Sequence, residues 1–502
     1  MFNIKSFFPF SDTPIDYSKV FKILLGFHIL LMCLGLTNLI TDEHGFRQTQ
    51  TALTSLFFLK EGFKVDYITP VLGAPWTIPF EFPVYQYVVA ILQKITGLHL
   101  DICGRLVSIS CFYLIIVIVQ RLNTVIKEFP SKALACLLLC NPLYIFWTRT
   151  FLIESMALLY SVAFIYFFLC FHIKENKIYG LLMFIFALLA SLTKITTFFV
   201  AVVFVVLYLA KSAWEDRASI RAKYLRIVSV ILTLCLSVLV QLVWTKNCDA
   251  AKIRSYLGNS ITSKSLQSWN FGEVNTRFEF ENWNEIFYKS GYVFLLAILV
   301  LMIALMYKNI FVKRTFIVFL LAGFSGPLVF FNLYKVHSYY HYANTLFLLA
   351  GLAFCISSLK FFKIQRIAFT LIVLMNLTYY FSEYYISHRN NNNDIATSAL
   401  CLKTNSHQED VALVIGMDWG SEIPYYSERK CICIPEQFLP ELENSPELFI
   451  EKLKTKNIKH VLLRNHRMSE IDKPYFQKLK TILNLKTQRM DDKGKGILIS
   501  NN

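Results

Sequence analysis

The sequence predicts a polytopic α-helical membrane protein of about 11 spans, with juxtamembrane helices and a small C-terminal α/β soluble domain. Three observations predict this class. The 502 residues are 55% hydrophobic with a mean hydropathy of +0.47, which is too apolar for a soluble enzyme of this length. The apolar residues come in runs long enough to cross a bilayer. Past about residue 388 the composition turns to that of an ordinary soluble domain.

Membrane spans are expected near 21–40, 103–122, 133–148, 155–173, 178–193, 196–210, 227–244, 290–307, 315–333, 342–358 and 367–386. The stretch Phe82 to Leu98 is also apolar, but it is short and holds Gln86, Gln93 and Lys94. It reads as a juxtamembrane or re-entrant helix. Charge supports that choice. If 82–98 does not cross, the basic loops gather on one side. They begin with Lys5, Lys19 and Lys22, then Arg121, Lys127 and Lys132, then Lys174 and Lys177. Lys211 to Arg226, Lys308 to Arg314 and Lys360 to Arg366 complete the series. Basic loops mark the cytoplasmic side, so about 11 spans are expected, with the N-terminus inside and the tail outside. The first span is too long for a signal-peptide core and lacks a small-residue cleavage site, so it reads as a retained helix.

The net charge of +16 is explained by these loops. Nucleic-acid binders rarely thread their basic residues between apolar helices, so no nucleic acid is expected as a partner. Twelve cysteines are present. Most lie inside spans, where they act as small apolar residues. Cys401, Cys431 and Cys433 lie in the tail, and the spacing of Cys431 and Cys433 puts both thiols on one strand face. No zinc-ligand spacing is completed.

The expected domains are residues 1–387, with extracytoplasmic loops at 41–102 and 245–289, and residues 388–502. Asn390 to Asn393 form a polar linker. In the tail, Val411 to Gly416, Cys431 to Pro435, Ile458 to Leu463 and Gly496 to Ser500 read as strands, with Ser445 to Thr455 helical between them.

Every unusual polar cluster falls on the outer face of this topology. Asp42, Glu43 and His44 follow the first span at once. A hydroxyl or amine acceptor attacking a sugar carbon needs a base within hydrogen-bond reach, and a carboxylate here suits that. Equally, Asp42 or Glu43 would cap the helix that follows. Arg47 and Gln48 lie on the first turns of that helix. An Arg forks onto phosphate oxygens or snorkels at the interface; its neighbours Phe46, Leu53, Phe57 and Phe58 suggest a packed one. Glu81 ends a loop stiffened by Pro75, Pro79 and Pro83. It reads as a helix cap or a second carboxylate, and paired acids would allow a divalent cation or acceptor positioning.

Arg149 and Glu154 sit between two spans and would pair with each other or serve the site. Lys194 lies at the junction of two short spans and calls for an anion. His337, Tyr339, Tyr340 and His341 form a donor-rich cluster at a membrane edge. It reads as an aromatic belt or a head-group pocket.

These residues resemble the bacterial membrane glycosyltransferases of the GT-C superfamily, in the family-39-like branch shared with protein O-mannosyltransferases and lipid A aminoarabinose transferases. The likeness covers the hydrophobic part of the chain. It is carried by Asp42-x-His44-x-Phe46-Arg47-Gln48-x-x-Thr51, Glu81-x-Pro83-x-Tyr85, the turn from Arg149 to Glu154, the junction Leu192-Thr193-Lys194, and His337-x-Tyr339-Tyr340. The tail run Asp418-Trp419-Gly420-Ser421-Glu422-Ile423-Pro424-Tyr425-Tyr426-Ser427 also fits. The resemblance implies a polyprenyl-phosphate-linked sugar as donor and inversion at the anomeric carbon. It also implies Asp42 as the base, Lys194 and Arg149 as phosphate holders, and Glu81 and Glu154 completing the cavity. The acceptor implied is a glycan, lipid or protein on the periplasmic side of a bacterial inner membrane. The sequence departs from the aminoarabinose transferases, which place Lys-Pro-Pro after the Glu where this chain has Phe82-Pro83-Val84. No Walker motif or dinucleotide fingerprint is present, as a donor already activated by its lipid phosphate requires.

Three rival functions were weighed. A flippase or transporter keeps its polar residues near the midplane on repeated, broken helices; here they gather at one surface. A lipid-linked oligosaccharide polymerase or ligase shares the donor chemistry. A receptor with a soluble sensor tail would not require Asp42.

Overall fold

The computed structural model describes residues 14–215, 217–293, 296, 310–389 and 394–501. The chain forms two compact units that do not follow chain order. The first comprises Met1–Leu36, Arg105–Leu242 and Ser268–Arg389, the second Thr37–Gly104, Val243–Gln267 and Asn390–Asn502.

The first unit is a helical bundle. Helix α1 (Tyr17–Cys33) starts where Asp16 accepts from the amides of Ser18 and Lys19 at 3.1 Å. It ends earlier than expected, because Leu34 is extended and breaks the ladder. The expected span at 133–148 is two helices, α5 (Ser131–Cys140) and α6 (Pro142–Trp147). Pro142 has no amide to continue the first helix. Asn141 accepts from the Leu143 amide at 3.1 Å and so starts the second.

Among the described residues six helices are long and apolar enough to cross a membrane. They include Leu100–Thr124, Glu154–Lys174, Ile195–Trp214 and Tyr224–Lys252. Three shorter apolar helices, Ser131–Cys140, Lys177–Thr193 and Arg314–Val329, accompany them. The span expected at 290–307 falls largely outside the described residues, as does the linker Asn390–Asn393.

Helices gain little by leaving lipid for one another, so close packing and satisfied polar groups must hold them. Both are visible in the helix Ile310–Val329. A Cβ on Gly323 would overlap the Leu348 side chain. Pro327 frees the Gly323 carbonyl four residues back, and the Asn344 amide donates to that carbonyl at 3.1 Å. The core around them includes Phe112, Tyr144, Trp147, Phe168 and Leu352, all buried.

The second unit is built on a five-stranded sheet of order β2-β1-β3-β5-β4. Its strands are β1 (Val411–Ile415), β2 (Lys430–Cys433), β3 (Ile458–Arg464), β4 (Thr487–Met490) and β5 (Gly496–Ser500). β1 runs parallel to β2 and β3, whereas β5 runs antiparallel to β3 and β4. Strand β4 was not expected. Gln488, Arg489 and Met490 are exposed, so it lacks the alternation that marks a half-buried strand.

The edge at β2 is covered by a segment more than 300 residues earlier: the Cys431 and Cys433 amides donate to Pro70 and Val71 at 3.2 and 2.7 Å. Cys431 and Cys433 are free thiols buried in one core, and burial pushes the Cys431 thiol up to about 12.

Helices α2 (Gly45–Glu61) and α3 (Val84–Thr96) belong to this unit too. The 13 residues of α3 extend about 20 Å at 1.5 Å per residue, short of the roughly 30 Å hydrocarbon core. It occupies most of the stretch 82–98, where a juxtamembrane or re-entrant helix was expected.

Candidate active site

In the second unit the site begins at the start of α2. His44 occupies the cap position in the left-handed region (φ 52°), and its own side chain makes no cap hydrogen bond. The Gln48 amide, one turn into α2, donates to Asp42 Oδ1 and to the Glu43 carbonyl, the latter at 3.0 Å. Gln48 is buried and Asp42 half-buried, so one end of the clamp is fixed while the carboxylate keeps contact with solvent. Glu43 is exposed. Asp42 thus accepts from the amide of a neutral, buried side chain.

Arg47 lies beside this group. Its Nη2 meets Glu81 Oε2 at 3.0 Å, its Nη1 donates to Gln50, and its guanidinium stands 5.9 Å from the Phe80 ring centre. Gln86 donates to the other Glu81 oxygen at 3.2 Å. The Glu81 backbone is fixed as well, since Tyr67 donates to its carbonyl at 2.8 Å and accepts from the Phe80 amide at 2.7 Å. Helix α3 has no side-chain cap, so Glu81 is not the cap that its position allowed. It balances Arg47.

The tail run singled out in the sequence completes this region, together with Asp101, which was not. Trp419 stacks on Phe80 (centroids 6.1 Å apart) and meets Phe46 edge-on at 6.4 Å. Asp101 is buried and accepts from the hydroxyls of Tyr425 and Tyr426, the latter at 3.2 Å. Tyr426 in turn accepts from the Ile40 amide at 2.7 Å. Glu422 is buried, and its Oε1 lies 3.9 Å from where a Cβ of Gly45 would stand. Burial pushes its carboxyl up to about 7 against the opposing pull of Arg464. The run Asp418 to Ser427 was visible as a motif; its partners in the first loop were not.

In the first unit, α8 (Lys177–Thr193) ends and α9 (Ile195–Glu215) begins with only Lys194 between them. That residue is extended (φ −161°, ψ 101°), which turns its ammonium aside from both helices. It pairs with Glu154, at the first turn of α7 (Glu154–Lys174), and lies 4.0 and 5.0 Å from the ring centres of Tyr340 and Tyr339. A cation between a carboxylate and two aromatic faces is held from several sides.

Arg149 does not pair with Glu154, the partner its spacing offered. It is fully buried, donates to the His388 carbonyl at 3.4 Å and stands 5.3 Å from the Phe146 ring centre. His337 stacks on Tyr339 at 5.2 Å. His341 points into the bundle, 2.9 Å from the Tyr334 carbonyl, and is fully buried. It packs the core instead of facing a head-group pocket.

No group of three or more His, Cys, Asp or Glu able to hold a metal ion occurs among the described residues. Glu81, weighed as one carboxylate of a cation site, is engaged by Arg47 and Gln86.

No protein-family model matches the chain, and no curated protein matches its sequence. Solved structures do match. The fold is similar to that of ArnT from Cupriavidus metallidurans bound to undecaprenyl phosphate, at 12% identity and TM-score 0.61, over 97% of this chain and 99% of that one. The archaeal oligosaccharyltransferase AglB from Archaeoglobus fulgidus, in complex with an inhibitory peptide and a dolichol-phosphate, matches at 13% identity and TM-score 0.51. That match covers 91% of this chain and 70% of AglB. The mycobacterial arabinofuranosyltransferase AftD matches at 12% identity and TM-score 0.50, over 90% of this chain and 35% of AftD. The chain is a multi-pass membrane protein whose fold is shared with these solved structures.

Proposed function

We propose that this protein is an inverting glycosyltransferase that moves a sugar from a polyprenyl-phosphate donor to an acceptor at the extracytoplasmic face of a bacterial inner membrane. The observation that carries the proposal is Asp42, a half-buried carboxylate oriented by Gln48, in a fold shared with structures that hold undecaprenyl phosphate and dolichol-phosphate.

In this reading Asp42 takes the proton of the acceptor hydroxyl or amine. The acceptor atom bonds to the anomeric carbon as the bond from that carbon to the phosphate oxygen breaks. The polyprenyl phosphate leaves with the electron pair. A single displacement inverts the carbon. Lys194 and Arg149 are the cations assigned to the leaving phosphate, where developing charge is worth most to neutralise. Glu154 and Tyr340 hold Lys194 in place beforehand, so little reorganisation is required. The Arg47–Glu81 pair, with Glu43, His44 and Gln48 beside it, positions the acceptor. The acceptor is a glycan, lipid or protein.

The matches to an oligosaccharyltransferase favour a second reading, in which a preassembled glycan is transferred at once. Donors carrying one sugar and donors carrying an oligosaccharide separate the two.

The test is transfer of radiolabelled sugar from polyprenyl-phosphate donors by purified protein in detergent, wild type against Asp42→Asn. Loss of transfer with donor still bound is expected. A removed general base costs roughly 10²–10⁴-fold in rate. Equal turnover would remove Asp42 from this role. No turnover with any donor, together with movement of lipid-linked sugar across liposomes, would favour a transporter.

A further inference from the structure

The positive-inside pattern accounts for the sign of the charges at one end of the first unit, but not for the convergence of three of them on a single groove. A cavity of about 420 Å³ is lined by Ser18, Phe21 and Lys22 of α1, by Val117, Gln120 and Arg121 at the end of α4 (Leu100–Arg121), and by Asn123, Ser131 and Lys132. Among the described residues three cations line it and no carboxylate does.

The nearby acid Asp16 has its carboxylate committed to the amides of Ser18 and Lys19. Lys132 Nζ donates to Ser18 Oγ at 2.8 Å, which holds its ammonium across the groove from α5 to α1. Lys22, Arg121 and Lys132 are all exposed. Polar donors stand between them in Gln120 and Asn123.

The groove opens onto an apolar strip. Leu114 and Val117 of α4, each 52% exposed, share a face with Arg121 at helical spacing. Ile29 of α1, 44% exposed, shares a face with Lys22. A row of apolar side chains leading to a cluster of cations matches an amphiphile of opposite charge with its head at the cations. Basic pockets between transmembrane helices on the cytoplasmic side bind anionic head groups.

The geometry points to a binding site for one anionic phospholipid between α1, α4 and α5. Its phosphate sits among Lys22, Arg121 and Lys132, and an acyl chain lies along Leu114 and Val117. A free phosphate would use the same cations, but would leave the apolar strip without a role.

The experiment uses the full chain in a non-ionic detergent. Dioleoyl-phosphatidylglycerol, dioleoyl-phosphatidylcholine or inorganic phosphate is added, and retained lipid is counted by native mass spectrometry alongside the thermal midpoint. Wild type is compared with the triple variant Lys22→Gln, Arg121→Gln, Lys132→Gln. A control of equal charge loss carries Lys174→Gln, Lys177→Gln and Lys360→Gln. The expected result is selective retention of phosphatidylglycerol by wild type and control, weakened roughly ten- to a hundredfold in the site variant, since each basic residue near a lipid surface counts for about one kcal/mol.

Equal weakening in both triple variants would overturn the site in favour of diffuse attraction. Equal retention of the two lipids would overturn it as well. Protection by inorganic phosphate matching that by phosphatidylglycerol would assign the cations to free phosphate. If the triple variant does not purify, single Lys22→Gln and Arg121→Gln variants, both at exposed positions, give the same readout in smaller steps.

Discussion

Glu422 shows how one side chain makes a local element sensitive to pH. Its carboxyl is buried beside the start of α2, and its Oε2 has no hydrogen-bond partner among the described residues. Burial raises its folded-state value to about 7 from an ordinary 4.5. The folded state therefore holds this proton more tightly than the unfolded chain does. Stability from the group is complete below about pH 4.5 and is lost as pH rises through about 7. The shift corresponds to at most about 3 kcal/mol. Thermal midpoints measured from pH 4.5 to 8 should fall for wild type relative to Glu422→Gln, which carries no proton to lose. Parallel curves would mean that the carboxyl is solvated. Lys194 is the contrasting case: a half-buried group matched by Glu154 and by ring faces, where an unpaired charge would be costly.

At the level of elements, the helix Ile310–Val329 carries a proline in its interior, and its cost is met from a neighbouring helix. Asn344 supplies the donor that Pro327 cannot. Asn344→Leu should leave the Gly323 carbonyl buried without a donor and lower stability by about 1–3 kcal/mol. Thermal unfolding in detergent should show this drop, and the double variant Asn344→Leu, Pro327→Ala should recover part of it. No recovery would mean that the Asn344 side chain serves something other than the proline.

The same helices show what a single sequence reveals. Long apolar runs such as 155–173 and the strands at 411–415, 458–464 and 496–500 were legible because one period dominates each. The break at Asn141 and Pro142 was masked by the continuous hydrophobicity of 133–148. Strand β4 was missed because its exposed residues follow no alternating pattern. In the site, Asp42, Arg47 and Glu81 announced themselves as charges near a membrane. Asp101 did not, and the tail run that holds Trp419 and Glu422 did not reveal its partners, because Asp101 and Tyr425 lie 324 residues apart in the chain.

Over the whole molecule, the soluble-looking tail is not a self-contained body. The compact unit that holds its sheet also takes Thr37–Gly104 and Val243–Gln267. Two contacts explain why. The backbone of Pro70 and Val71 pairs with the outer edge of β2, and Tyr425 and Tyr426 reach Asp101 and the Ile40 amide. An uncovered strand edge invites pairing with another chain. Residues 394–502 expressed alone should therefore expose the β2 edge, whose Cys431, Ile432 and Cys433 are fully buried in the whole protein, and should elute as aggregates in size-exclusion chromatography. Replacing Ile432 with Lys should restore a monomer at the cost of the apolar edge. A fragment that is monomeric and folded without that change would show the loop contacts to be dispensable. The distinction reaches function, because the loop that covers the sheet leads directly from α2 to Glu81. If the sheet needs the loop, then the loop is also held by the sheet, and the tail becomes part of what fixes the Arg47–Glu81 pair and, through α2, Asp42.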